Sequence, residues 1–309
     1  MERDEVRAIL AGARGPVLGE GSIYELLRRR PGIAADTFIG TSALVYDGAA
    51  RLALADVHRG YLGAAAAAGL PCLSLTDTWR ASARRIAESA WAGRDVNGDN
   101  ARFLRALTAE RPAATVVIGG LLGPDGDAYL PAEAPDRAAA RRLHTPQAEL
   151  LAAAGVDLLA SQTLPALDEA LGMAEAMAAT GLPYLMSFVV RADGTILDGT
   201  PLPAVLDALE ALADPPLTVM ANCVHPSILD AALAAQPAAI GRLTALQANA
   251  AALTPEELDN AEELISSDPD PFAALFADVA RRRGLVIAGG CCGTDVRHIT
   301  ALAGAITDG

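Results

Sequence analysis

Apolar residues in this chain fall into short, nearly unbroken runs rather than alternating with polar ones. Eight such runs stand out: PVLGEG (16–21), PCLSLTD (71–77), ATVVIGGLLG (114–123), VDLLASQT (156–163), PYLMSFVV (183–190), LTVMANCV (217–224), GRLTALQAN (241–249) and GLVIAGGCC (284–292). A strand buried on both faces reads this way, whereas a strand with one wet face alternates. Between the runs lie alanine-rich stretches with apolar residues at helical spacing, such as TPQAELLAAAG (145–155) and LDEALGMAEAMAATG (167–181). Each ends in glycine, a common helix stop. Strand alternating with helix predicts a parallel sheet, and eight repeats favour a closed (β/α)8 TIM barrel over an open doubly wound sheet. No linker interrupts the pattern, so residues 1–309 are expected to form a single barrel domain. The long connection after the first run holds two helical stretches, ELLRRR (25–30) and ALADVHRGYLGAAAAAG (53–69). An acidic insertion after the seventh run, TPEELDNAEELISSDPDPF (254–272), reads as a surface helix and loop.

In a barrel of this type the chemistry sits at the C-terminal ends of the strands. The unusual polar residues of the chain fall there. The second run ends in Thr76, Asp77, Thr78 and Trp79; the fourth in Gln162 and Thr163; the sixth in Asn222 and Cys223; the seventh in Gln247 and Asn249; the eighth in Cys291 and Cys292. Five strand ends would therefore present polar groups to one mouth.

Composition narrows the setting. With 24 Lys+Arg against 38 Asp+Glu the formal charge is −14, which argues against nucleic acid or an anionic membrane surface as the main partner. The opening MERDEVRAILAG lacks a basic segment followed by a long apolar one, and no unbroken apolar run reaches the ~18 residues that span a bilayer. These features point to a cytoplasmic protein whose cysteines stay reduced. Monomer and homo-oligomer fit the sequence equally.

Three of the four cysteines belong to the strand-end set. Thiolates are soft ligands suited to Zn2+, and three protein ligands leave a fourth tetrahedral position open. The sixth and eighth strands of a closed barrel are near neighbours, so Cys223 can reach Cys291 and Cys292; Gly289, Gly290 and Gly293 would give the backbone the freedom for adjacent cysteines to face one ion. Against this stand two plainer readings, three small buried hydrophobes or a vicinal disulfide. Cys72, inside an apolar run, reads as core. His225, in CVHPS, reads as a loop residue near Cys223, and His58, His144 and His298 as helix residues. No serine-hydrolase elbow, P-loop or dinucleotide fingerprint is present, and a phosphate cradle at Gly119-Gly120 and Gly289-Gly290 is a weaker alternative.

The pairing of Asn222-Cys223 with Gly289-Gly290-Cys291-Cys292-Gly293-Thr294 resembles the zinc motifs of the homocysteine S-methyltransferase family. The likeness extends over most of the chain, through VLGEGSIYELLRR (17–29), DVHRGYLGAAAAAGLPCLSLTDTWRAS (56–82), HTPQAELLAAAGVDLLASQTLPALDEA (144–170) and DGTPL (198–202). It implies Zn2+ held by Cys223, Cys291 and Cys292, and transfer of a methyl group from a cationic donor to a small-molecule thiol acceptor. Two positions depart from the pattern. Gly19 and Gln162 stand where the family carries acidic residues that help hold the amino group of homocysteine. Glu20 lies one residue out of register, which on a strand turns it to the opposite face. Gln162, Thr163, Asp77, Trp79, Glu20, Asn222 and Asn249 are the candidate substrate-binding residues, with Asn222 also placed to orient a ligand cysteine. Tyr24 and Tyr129 are further candidates for facing a cationic donor. A thiol acceptor other than homocysteine, and a non-catalytic zinc- or thiol-binding member of the family, remain alternatives. Thr294 and Asp295 read as caps of the last helix.

Overall fold

The computed structural model describes residues 1–253, 257 and 265–307. Eight parallel strands close into a barrel in chain order: β1 (Val17–Gly19), β2 (Cys72–Leu75), β3 (Val116–Leu122), β4 (Leu158–Ser161), β5 (Tyr184–Phe188), β6 (Thr218–Val224), β7 (Leu243–Ala248) and β8 (Ile287–Gly290), with β8 paired back onto β1. All eight apolar runs are strands of this barrel. The described α-helices are α1 (Arg3–Leu10), α2 (Tyr24–Arg28), α3 (Gly48–Ala68), α4 (Ala83–Glu88), α5 (Val96–Ala109), α6 (Arg137–Ala153), α7 (Leu167–Ala178), α8 (Leu202–Glu210), α9 (Pro226–Ala235), α10 (Pro269–Arg283) and α11 (Val296–Thr307). Both helical stretches of the first long connection form, as α2 and α3. The surface helix expected around 254–264 lies outside the described residues. Among the described residues no helix is long and apolar enough to cross a membrane.

The runs lack alternation because each strand is buried twice. One set of side chains fills the barrel: Val17, Leu73, Leu75, Val117, Leu158, Leu185, Met220 and Ile287 pack there, with Val6, Ile9 and Leu10 of α1 against them. The other set, including Leu18, Cys72, Ile118, Leu159 and Met186, packs outward against the helices. Cys72 is thus core, as its sequence context indicated. The Met1 ammonium bonds Asp157 Oδ1 at 2.7 Å, just before β4, so α1 lies across the N-terminal end of the barrel. That end is stoppered, and the C-terminal end is left as the mouth. Gly119 and Gly120 lie in mid-strand. A Cβ on Gly119 would come within 2.5 Å of Leu75, and one on Gly120 within 3.0 Å of Leu151 on α6. The pair serves close packing on both faces of β3, which corrects its reading as a phosphate cradle.

Over the mouth, the segment after α2 forms a 3-10 helix, Thr41–Tyr46. Ile39 and Ala43 pack with Ala81, Ile86 and Val96 in a small satellite core, and Tyr46 stacks on Trp91 with ring centroids 4.4 Å apart. This cluster ties the β1 and β2 connections together and brings Thr41 to the end of β2.

Candidate metal centre and substrate cavity

The sulfurs of Cys223, Cys291 and Cys292 all lie within 4.8 Å of one another, with Cys223 and Cys291 Sγ 2.7 Å apart. No disulfide joins them. Cys223 is brought there by an irregularity: the β6–β7 register slips between Asn222 and Val224, and Cys223 takes φ 55°, in the left-handed region. Thr163, at the end of β4, has φ 64°. These are the two described non-glycine residues with positive φ, a conformation costing on the order of 1–3 kcal/mol unless neighbours enforce it. Asn222 is the neighbour that does so. Fully buried, its Oδ1 accepts from Thr163 N–H (2.8 Å) and Ser187 Oγ (2.6 Å). Its Nδ2 donates to Thr163 Oγ1 (2.8 Å) and to Cys223 Sγ (3.3 Å). One amide locks both strained strand ends and holds the sulfur.

The other two cysteines follow β8. Cys291 N–H donates to Ala248 O (2.7 Å), Ala250 N–H to Cys292 O (3.0 Å), and Thr294 Oγ1 to Cys291 O (2.7 Å). Of the glycines expected to supply freedom here, Gly293 alone has a positive φ, 81°. Gly289 and Gly290 are needed instead for closeness: a Cβ on Gly289 would meet Gly19 Cα at 2.9 Å, and one on Gly290 would meet Thr294 Oγ1 at 2.3 Å. Thr294 ties the turn to the β1 connection by accepting from Ser22 N–H (3.2 Å), while Asp295 accepts from Arg297 N–H (2.9 Å) at the start of α11.

Electrostatically the three thiols form one unit. The Cys291 and Cys292 thiols stabilise a thiolate on Cys223, pushing its pKa well down and theirs well up, and the Tyr129 hydroxyl adds a further bond to Cys223. Burial, followed by the neighbouring sulfurs, pushes Tyr129 well up. A soft, anionic three-sulfur set exposed to a cavity is the donor chemistry that Zn2+ favours.

They open into a cavity of about 240 Å³ at the C-terminal end of the barrel. Its lining includes Glu20, Tyr24, Asp77, Trp79, Tyr129, Gln162, Thr163 and the three cysteines, so ten of the twelve candidate residues border it, although Glu20 turns its carboxyl away. Asn222 and Asn249 are not in the lining. Asn222 sits behind Cys223 as a support, and Asn249, 1% exposed, is held by its N–H to Val224 O (3.0 Å) with no side-chain partner. Gln162 Nε2 bonds Gln247 Oε1, and Trp79 Nε1 donates to Gln162 O (3.1 Å). Tyr24 meets Trp79 edge-on at 5.6 Å; Arg28 lies over the Tyr24 ring and Arg80 over the Trp79 ring.

The carboxylates differ sharply. Gly19 faces inward, where a Cβ would stand 3.4 Å from Gln247 Nε2 and 3.1 Å from Gly289 Cα. Glu20 consequently turns its carboxyl outward, as the register required. Its Oε2 accepts from Ser74 Oγ (3.0 Å) and Leu75 N–H (3.1 Å), with His58 Nδ1 at 3.8 Å. Burial pushes Glu20 up to about 8 and His58 down to about 4, so at neutral pH the two stand uncharged. His58, placed by the sequence on a helix away from strand ends, therefore touches the site's outer wall. Asp77 keeps its carboxylate at the mouth: Thr41 Oγ1 donates to Oδ1 (2.8 Å), and Oδ2 has no partner. Burial raises its pKa to about 6. The remaining histidines are structural. His225 caps α9, His298 bonds Ser267 O and Asp295, and His144 pairs with Glu169 (3.0 Å), whose Oε1 also accepts from Asp125 N–H (2.7 Å). That buried pair anchors the β3 connection carrying Tyr129. It escaped the sequence reading because two helices supply it.

Glu20 carries a stability prediction. Its folded pKa lies above the usual 4.5, so the unfolded chain ionises first as pH rises, and stability falls between about pH 4.5 and about 8. Glu20→Gln keeps an acceptor for Ser74 and Leu75 and removes that loss. The variant should match the wild type near pH 4.5 and exceed it near pH 8 by about 4 kcal/mol. Urea midpoints at both pH values check this; a gap independent of pH would contradict it.

A (β/α)8 barrel with three cysteine sulfurs gathered at the ends of β6 and β8, facing a cavity with aromatic and acidic walls, defines a class of barrel with a thiol cluster at its mouth. Residues 17–306 match the family model for homocysteine S-methyltransferase, and the chain belongs to that family. The homocysteine S-methyltransferase of Escherichia coli (strain K12) is 31% identical over 215 residues, which is 64% of this chain and 65% of that protein. The chain thus aligns with somewhat less than two thirds of that relative's length. The solved homocysteine methyltransferase MmuM from Escherichia coli superposes in its metallated form with a TM-score of 0.75, at 22% identity, over 96% of this chain and 99% of that one. Its oxidized form gives a TM-score of 0.75 at 25% identity, over 97% and 98% of the two chains.

Proposed function

We propose that this protein is a zinc-dependent S-methyltransferase, acting as one barrel domain in the cytoplasm, that moves a methyl group from a sulfonium or quaternary ammonium donor to a small thiol. The observation that carries this reading is the convergence of Cys223, Cys291 and Cys292 on one cavity, in a chain of the homocysteine S-methyltransferase family. That the homocysteine methyltransferase MmuM has a metallated form supports a bound metal in this family. Cys223, Cys291 and Cys292 would hold the ion. When bound, Zn2+ supplies the Lewis acidity that keeps an acceptor sulfur deprotonated at neutral pH.

The chain's own residues do the rest. Asn222 fixes Cys223, and Tyr129 directs its hydroxyl at the same sulfur. Trp79, Tyr24 and the Gln162–Gln247 pair form walls of the cavity around the cysteines. In the reaction the acceptor sulfur attacks the methyl carbon in line, the carbon's bond to the donor's sulfur or nitrogen breaks, and the donor leaves neutral. The thiol proton goes to solvent, so thiol plus onium gives thioether, neutral donor and a proton. No protein nucleophile is required, and rate comes from alignment and a dry site.

Homocysteine is the first acceptor to test. A second reading, a thiol lacking the amino group, is favoured by the neutral wall that Gly19, Gln162 and Gln247 make. The deciding measurement is methyl transfer by zinc-loaded protein to homocysteine and to 4-mercaptobutanoate, which lacks the ammonium. Homocysteine should win if the amino group is read, and parity or reversal points to the second acceptor class. No methylation of either thiol with any onium donor would defeat the methyltransferase reading.

A further inference from the structure

Four carboxylates border the cavity, and each is engaged or closed off. Glu20 turns outward to Ser74 Oγ and Leu75 N–H. Glu25 pairs with Arg28 (2.7 Å) and Arg29. Exposed Asp127 accepts from Tyr129 N–H through Oδ1 (2.8 Å). Asp77 Oδ1 accepts from Thr41, and its Oδ2 is sealed within the protein. A ligand ammonium therefore finds no carboxylate waiting for it at the sulfurs.

What stands beside the sulfurs is a pair of amides. β7 lies between β6 and β8, the strands that lead into the cysteines, and its Gln247 is level with Asn222 and Gly289. Gln162 follows β4, three strands away around the ring, so the bond from Gln162 Nε2 to Gln247 Oε1 crosses the bore. Both side chains border the cavity together with the three cysteines, and Gln247 is only 1% exposed. The backbone fits this pair. A Cβ on Gly19 would stand 3.4 Å from Gln247 Nε2 and 3.1 Å from Gly289 Cα, so Gly19 leaves to Gln247 the inward space that a side chain on β1 would take. The wall is filled by amides, not vacated. With their mutual bond made, Gln162 Oε1 and Gln247 Nε2 have no partner among the described residues, and neither is sealed in. One open acceptor and one open donor face a single ligand.

That edge selects by charge and by count. An ammonium brings a full charge and three N–H donors to a neutral wall with one open carbonyl, and burying it there is costly. A secondary amide brings one N–H and one C=O, which match the acceptor and the donor.

We propose that the Gln162–Gln247 pair makes the acceptor site specific for a thiol bearing an amide, an N-acylated aminothiol, in place of the free amino group of homocysteine. The ligand amide N–H donates to Gln162 Oε1, and its C=O accepts from Gln247 Nε2, while the sulfur lies at the cysteines. This rests on the methyltransferase reading for the thiol's role as acceptor. It makes Gln247 a specificity-determining residue alongside Gln162.

The test is calorimetric binding of two thiols to zinc-loaded protein, homocysteine and N-acetylhomocysteine, which differ only in the acetyl group on nitrogen. Wild type should bind N-acetylhomocysteine at least about tenfold more tightly, the scale of a buried polar mismatch. Gln162→Glu sets a carboxylate where the ammonium would lie and should reverse the order. Gln162→Met removes the open acceptor, Gln247→Met removes the open donor, and each should erase the preference. Gln162 is half-buried and Gln247 fully buried, so the Gln162 variants decide the matter if Gln247→Met fails to fold. Homocysteine bound as tightly as its N-acetyl form by the wild type, a preference that survives both Gln162 variants, or binding of neither thiol would each overturn the proposal. Methyl transfer from onium donors by wild type is followed separately. Selective binding of the N-acetyl thiol without methylation removes the enzyme reading and keeps the amide site. Methylation with homocysteine preferred removes the amide site and keeps the enzyme.

Discussion

Cys292→Ser protein, purified under reducing conditions, is expected to fold and to lose its metal, where the wild type retains about one Zn2+ per chain. The reason is the number of ligands. Three thiolates leave one open position, and removing one leaves two ligands in a site that water can enter. A serine hydroxyl is nearly isosteric but stays protonated, so it neither replaces the charge nor the softness of the sulfur. Without coordination an acceptor thiol is only a few per cent ionised near pH 7, and methyl transfer should fall by about two orders of magnitude or more. Cys292 is half-buried at the cavity wall, so thermal stability of the metal-free forms should barely differ. Cys72→Ala supplies the contrast. Cys72 packs outward into the core, so that variant should lose stability and keep its zinc. Metal analysis and melting of the two variants check both halves. Full zinc content in Cys292→Ser would remove the three-sulfur site from the mechanism.

The barrel was legible because burial on both faces leaves a direct mark. β3 reads VVIGGLL with no polar residue, and only a strand between two apolar layers requires that. The strand-end set was legible for a related reason, since polar side chains after such runs have few places to go other than the mouth. What the sequence withheld depends on contacts between distant segments. α1 is eight residues with three buried positions, too short a pattern to separate from a polar leader, and its role at the barrel floor follows only from the closed ring above it. Thr41 reaches Asp77 through a 3-10 segment whose position is set by the stack of Tyr46 on Trp91. The left-handed Cys223 and Thr163 have no sequence signal, because neither is glycine and the bulge that needs them is a matter of register between β6 and β7. The outward turn of Glu20 was the opposite case, where counting residues along one strand fixed the face.

The bulge makes Asn222 the residue on which the centre depends without touching the ligand. Truncation to alanine leaves Thr163 N–H, the Thr163 and Ser187 hydroxyls and the Cys223 sulfur without their buried partner, and opens a cavity beside them. Each abandoned group costs about 1–3 kcal/mol, and the shared site limits the sum, so Asn222→Ala should destabilise the fold by about 3–5 kcal/mol. For a chain of this size that is a fall in Tm of about 5–10 °C. The same loss frees Thr163 and Cys223 to leave their left-handed conformations, which moves the sulfur off the other two. Zinc affinity should fall about 10–100-fold, the range for removing a group that orients a ligand. Ser187→Ala separates the two effects: it removes one bond to Asn222 Oδ1 but leaves those to Thr163 and Cys223, so it should cost about 1 kcal/mol and keep zinc near wild type. Competition with a chromophoric chelator beside thermal melts measures both quantities. If Asn222→Ala weakens the fold yet holds zinc as tightly as the wild type, Cys223 is placed by the strand alone and the amide is only core.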